Sequence, residues 1–132
     1  MLQITPQMTL FLSINFTDFR KGIDAIVALC QQELHQDPFS GALFAFTNRN
    51  RTAIKLLIYD GNGFWLCMKR FSKGKLQWWP SALNHASPVY HIDATQLSIL
   101  VSQGNPQMSK LGSNWKRLAS QPNGNNLSSG SI

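Results

Sequence analysis

Asp60-Gly61-Asn62-Gly63 stands between two apolar runs of strand length, Ala53 to Tyr59 and Phe64 to Phe71. Glycine and asparagine tolerate positive φ, so this tetrapeptide closes a β-hairpin and commits the middle of the chain to a meander. Two further turn signals, Asn48-Arg49-Asn50-Arg51 and Ser72-Lys73-Gly74-Lys75, set off strand-length runs at Ala42 to Thr47 and Leu76 to Trp79. If the hairpin loop is Gly61 and Asn62, Tyr59 pairs with Phe64 and Lys55 with Met68. Lys55 and Arg70 then share a face with Leu57 and Leu66. A three-residue loop swaps the faces of one strand, and the sequence leaves both registers open.

Thr9 to Asn15 reads as a first strand. Ile23, Ile26, Val27, Cys30 and Leu34 then recur at helical spacing, which predicts an amphipathic helix over Phe19 to His35 with Asp18 as its N-cap. Gly22 is costly in a first helical turn unless another backbone approaches it, and Asp37-Pro38 is expected to end the helix. Pro80 to Tyr90 reads as loop. Asp93-Ala94-Thr95-Gln96 has the form of a capping box, opening a short helix that stops near Gly104.

The expected fold is therefore α+β: a mainly antiparallel sheet of about five strands with one amphipathic helix packed on it, plus a short C-terminal helix. Residues 1–104 are expected to form this domain. Residues 105–132, rich in Asn, Ser, Gly and Gln, read as a polar flexible tail whose one amphipathic island is Trp115 to Leu118. The opening MLQITPQMTLFLSINF lacks a basic leader region and a small-residue cleavage site, and Leu10 to Ile14 is too short to span a bilayer. Cys30 and Cys67, the only cysteines, read as small hydrophobes rather than a disulfide or a reactive thiol. A cytoplasmic setting without a membrane partner is expected.

The net charge of +6 arises because acids are scarce, Glu33 being the only glutamate. Arg20, Lys21, Arg49, Arg51, Lys55, Lys69, Arg70, Lys73 and Lys75 cluster near turns and strand ends, which suits a polyanion such as DNA. Arginine forks fit phosphate oxygens particularly well. The competing reading is that cations on turns and edges only prevent edge-to-edge aggregation. Phe64 and Trp65 read as cross-strand packing. Trp78 and Trp79 cannot both face inward in one strand, so one of them is a candidate for a partner interface, for stacking on a base, or for covering the core edge.

No catalytic constellation is visible. Asp18 and Asp93 read as caps and Asp60 as a turn residue, while His35, His85 and His91 lack metal-ligand spacing. No phosphate-cradling loop or nucleophile elbow is present. The expectation is a protein that is not an enzyme and needs no cofactor and no metal.

Three blocks together resemble a known family: Thr17 to Asp24; Asp37 to Phe44 running on to Asn48-Arg49; and Lys55 to Leu66 with Lys69-Arg70. They are similar to the small accessory protein, often labelled TnpB, of the second reading frame of IS66-type insertion sequences. The Trp78-Trp79-Pro80 run, the segment Leu97 to Pro106, and Trp115 are similar to a subset of that family. The resemblance covers Thr9 to Leu118. It implies a role in transposition of a bacterial mobile element beside a separate, larger transposase, with DNA (the element ends) or that transposase as partner and no catalytic role for the matching residues. Relatives often carry a proline-containing triplet where this chain has Phe16-Thr17-Asp18, and often another arginine where it has Thr47.

Overall fold

The computed structural model describes residues 4–107. Its elements follow one another as β1 (Leu10–Ser13), α1 (Ile23–Gln32), β2 (Leu43–Thr47), β3 (Ala53–Tyr59), β4 (Phe64–Arg70), a 3-10 turn at Ala82–Asn84, β5 (Val89–Ile92) and α2 (Ala94–Val101). The five strands form one sheet in the order β4-β3-β2-β1-β5. Every pairing is antiparallel except β1 with β2, which α1 connects as a crossover. The α+β expectation holds. Tyr59 pairs with Phe64 and Lys55 with Met68, which is the register of the two-residue hairpin. Gly61 supplies the positive φ, 109°, that the turn requires.

Both faces of the sheet are covered over its central strands, while β4 has no fully buried residue. On one, Ile26, Leu29, Cys30 and Leu34 of α1 and its C-terminal turn pack on Phe11, Phe44, Phe46 and Leu57. On the other, Leu97 and Leu100 of α2 pack with Leu12, Ile54, Ile58, Phe71, Leu76 and Trp79. Each such side chain taken fully from water contributes about 1.5–3 kcal/mol before entropy is counted. Burial of both faces over β1, β2 and β3 leaves β4, with Trp65, Met68, Lys69 and Arg70 exposed, as the open part of the sheet surface. The cations collect at one end of the sheet.

Several local expectations are corrected. The fifth strand is Val89–Ile92, placed by its pairing with β1, whereas Leu76 to Trp79 does not join the sheet. Its apolar character reflects the packing of Leu76 and Trp79 against the core and not a ladder. Helix α1 begins at Ile23 and not at Phe19. Asp18 spends its carboxylate on the Arg20 N–H, at 2.9 Å, so Asp18 to Lys21 is a turn closed by Lys21 N–H on the Asp18 carbonyl. Gly22 is the N-cap without a side-chain cap bond, and a Cβ there would meet nothing within 4 Å, so no backbone presses on it. The helix stops before Asp37-Pro38 because His35 takes a positive φ of 55°. Helix α2 has the expected capping box: Asp93 Oδ1 accepts from Gln96 N–H at 2.7 Å and Gln96 Oε1 accepts from Asp93 N–H at 2.9 Å.

Candidate functional site

Because β1 and β2 run parallel, the segment leaving β1 and the turn leaving β2 emerge at the same end of the sheet. Thr17 N–H donates to the Thr47 carbonyl at 2.9 Å and ties them together. The β2–β3 turn is rigid: Asn48 Oδ1 accepts from Thr52 N–H, Asn48 Nδ2 donates to Thr52 Oγ1, and Arg51 N–H returns to the Asn48 carbonyl. Arg51 holds a left-handed φ of 60° to close it. Between the two loops lies an open cleft of about 730 Å³, lined by Phe16 to Arg20, by Asn48 to Asn50, and by Arg70 from the end of β4. Arg20, Arg49 and Arg70 thus reach one cleft from three separate elements.

Every lysine and arginine among the described residues belongs to the set singled out from the sequence, and the fold sorts them. Arg49, Arg51, Arg70, Lys69, Lys73 and Lys75 stand at the end of the sheet where β2 and β4 finish and β3 begins. Asp60 and Asp93 stand at the opposite end, beyond Tyr59 and Ile92. The charge is therefore polarised along the strands. Arg51 lies 5.8 Å from the ring centroid of Phe16, an exposed aromatic beside the cleft. Lys73 and Lys75 are exposed on a loop whose carbonyls both accept from Gln103 Nε2. Nothing local in the sequence marks Gln103 for that part.

Three cations are engaged by the protein itself. Lys55 is 7% exposed, and its Nζ donates to the Phe19 and Lys21 carbonyls at 3.0 Å each, 4.9 Å from the Phe19 ring. Its charge serves to hold the loop rather than to face solvent. Lys69 donates to the Val101 carbonyl at 2.8 Å, where the α2 dipole is negative. Arg20 is bidentate on Asp18, with 2.7 Å for the closest pair, and this is the one salt bridge among the described residues. The guanidinium and backbone N–H of Arg20 hold the Asp18 carboxyl down to about 2. Arg49 and Arg70 carry no acid partner there.

The tryptophans divide. Trp79 is 4% exposed, with Nε1 donating to the Ser13 carbonyl at 3.0 Å, and belongs to the core. Trp78 is half-buried edge-on to Tyr90. Phe64 packs with Tyr59 and Phe39 as expected, but Trp65 is 42% exposed and donates to Asp60 Oδ2 at 2.7 Å. The Asn62 N–H, and after it that Trp65 bond, lower the Asp60 pKa. Thr17 lines the cleft, yet its buried hydroxyl has no hydrogen-bond partner among the described residues. Both cysteines are free, and burial pushes the Cys30 thiol up to about 12. Among the described residues no three His, Cys, Asp or Glu side chains gather as a metal site, and no helix is long and apolar enough to cross a membrane. The expected tail island, Trp115 to Leu118, lies outside the described residues.

Parts of each block whose resemblance was noted in the sequence meet at this cleft: Thr17 to Arg20, Asn48-Arg49 and Arg70 line it, and Lys55 holds the loop that carries Arg20. The uncharacterised protein y4hO of Sinorhizobium fredii is 32% identical over 102 residues, 77% of this chain and 85% of its own length. A second uncharacterised protein of that organism, y4jC, is 28% identical over 105 residues, 80% of this chain and 79% of its own. No solved structure matches significantly. The family model of the IS66 Orf2-like protein matches residues 8–110, nearly the whole described region. The chain therefore belongs to the IS66 Orf2-like family of insertion-sequence accessory proteins.

Proposed function

We propose that this protein is a non-catalytic accessory factor of transposition that grips the DNA backbone with the cationic end of its sheet. It works in the cytoplasm beside the element's transposase. The observation that carries the reading is the convergence of Arg20, Arg49 and Arg70 on one cleft, flanked by Arg51, Lys21, Lys73 and Lys75, with Asp60 and Asp93 kept at the other end. Arginines held on rigid loops lose little freedom when they meet phosphate, and their planar forks match its oxygens. Phosphate contacts position a protein without reading sequence, so weak base preference is expected.

The test is duplex binding as a function of salt. Affinity should fall steeply as salt rises, and Arg49→Ala with Arg70→Ala together should reduce the slope of log K against log salt by about 2. A flat response to salt, or a double variant that binds as the parent does, overturns it. Assembly with the transposase through Trp78 and Trp79 has weaker support, because Trp79 lies in the core and Trp78 is packed on Tyr90.

A further inference from the structure

β4 is an outer strand of the sheet and is unusually apolar for one: Trp65 is 42% and Met68 51% exposed, with Leu66 and Cys67 half-buried beside them. Long, apolar outer strands invite another strand, and most proteins blunt them. The direction of its free hydrogen bonds can be read from the hairpin. Asp60 N–H bonds the Gly63 carbonyl and Phe71 N–H bonds the Thr52 carbonyl. With the alternation of an antiparallel ladder, Trp65, Cys67 and Lys69 then face β3 with their backbone groups. Those of Phe64, Leu66, Met68 and Arg70 point away from it.

We infer that β4 pairs antiparallel with β4 of a second copy of this chain, about a two-fold axis at Cys67. The strand is complementary to itself in that register. Its first half is aromatic and its second half cationic, so Phe64 meets the partner's Arg70, Trp65 meets the partner's Lys69, and Leu66 meets the partner's Met68. Cations over aromatic rings attract, and like charges are kept at opposite ends of the pair. Antiparallel pairing leaves α1 of both copies on one side of a continuous sheet and α2 on the other. The two cationic ends then point in opposite directions, and one dimer presents them to two separate stretches of polyanion. The described chain ends at Gln107, whose Nε2 donates to Tyr90 Oη on β5, the edge farthest from β4.

Cys67 gives the decisive test on the full chain. Directly opposed residues in a non-hydrogen-bonded antiparallel pair bring their Cα atoms to about 4.5 Å, within the range a disulfide spans. Diamide, which takes up the two thiol hydrogens, should convert the protein into a reducible dimer. Cys67→Ser should abolish that product, while Cys30, buried with its thiol pushed up to about 12, should not replace it. Sedimentation should show a dimer without oxidant. Met68→Pro removes only an outward-facing N–H, which an outer strand tolerates. Trp65→Lys sets a lysine against the partner's Lys69. Each variant should be a folded monomer by circular dichroism and sedimentation and should lose the diamide product. A monomeric parent, or a dimer that both variants keep, overturns the inference. So does a full chain that resists diamide while the chain ending at Gln107 crosslinks, because the remaining segment would then be what covers β4. DNA affinity of the monomeric variants is a separate readout and bears only on the proposed function.

Discussion

The Lys55 ammonium donates to the Lys21 carbonyl from the far side of α1's entry loop, and the Phe19 carbonyl shares it. A cation in the middle of a strand thereby holds the loop that brings Arg20 to the cleft. Lys55→Met keeps the stem and deletes both bonds. Hydrogen bonds to charged groups are worth about 1.5–3 kcal/mol each, partly offset here by the cost of burying the ammonium. A net loss of about 1–3 kcal/mol is expected by urea denaturation, with weaker DNA binding following from a looser loop. Unchanged stability with weakened binding would mean that Lys55 is a surface contact after all.

That residue also marks how far the sequence could be read. The bounds of β3 and the capping box of α2 are local matters of turn chemistry and periodicity, and these were legible, whereas the sequence located the hairpin but left two registers open, which the pairing of Tyr59 with Phe64 resolves. β5 was not, because Val89 to Ile92 is short, follows Pro88, and becomes a strand only by lying against β1. Leu76 to Trp79 is apolar and of strand length, but its buried side chains, Leu76 and Trp79, are three residues apart, and an apolar run records burial and not a ladder partner. The cleft was legible in its residues and not in its geometry. Arg20, Arg49 and Arg70 are far apart in sequence, and only the parallel exit of β1 and β2 makes them neighbours. Nothing near Lys55 in the sequence shows that two carbonyls from the β1–α1 loop descend onto it, nor does anything near Lys69 show the end of α2.

The Asp18–Arg20 pair predicts a pH response. Arg20 depresses the Asp18 carboxyl from an ordinary 3.8 to about 2. A depressed folded-state pKa means that the pair's contribution is fully present above about 3.8, shrinks as pH falls toward about 2, and is gone below it. An NMR titration of the side-chain carboxyl should therefore give a midpoint near 2, and Arg20→Ala should move it back toward 3.8. Asp18→Asn removes the one acid beside the cleft and should tighten DNA binding while steepening its salt dependence. A variant that binds more weakly would show that Asp18 is needed to aim Arg20.

Adjacent tryptophans offer a contrast within two residues. Trp79 fills the core and bonds Ser13, so Trp79→Ala should cost about 3–5 kcal/mol, and Trp79→Phe about 1 kcal/mol for the lost hydrogen bond. Trp78→Ala removes a half-buried edge contact with Tyr90 and should cost clearly less than Trp79→Ala. Thermal melts of the three variants decide it. Equal losses at both positions would place Trp78 in the core as well.

Thr17 separates a structural cleft from a binding one. Its hydroxyl is buried without a partner, an arrangement that burdens the fold by about 1–3 kcal/mol of desolvation. Thr17→Val preserves the shape and removes that burden, so the variant should be as stable as the parent or up to about 1 kcal/mol more so. If the hydroxyl is kept to meet a phosphate oxygen, the same change should weaken DNA binding several-fold without altering the salt slope, because no charge is lost. Stability and affinity would then move in opposite directions, which a purely structural threonine cannot produce. A variant that gains stability and binds DNA as before would remove Thr17 from the site and leave the arginines to hold the phosphate alone.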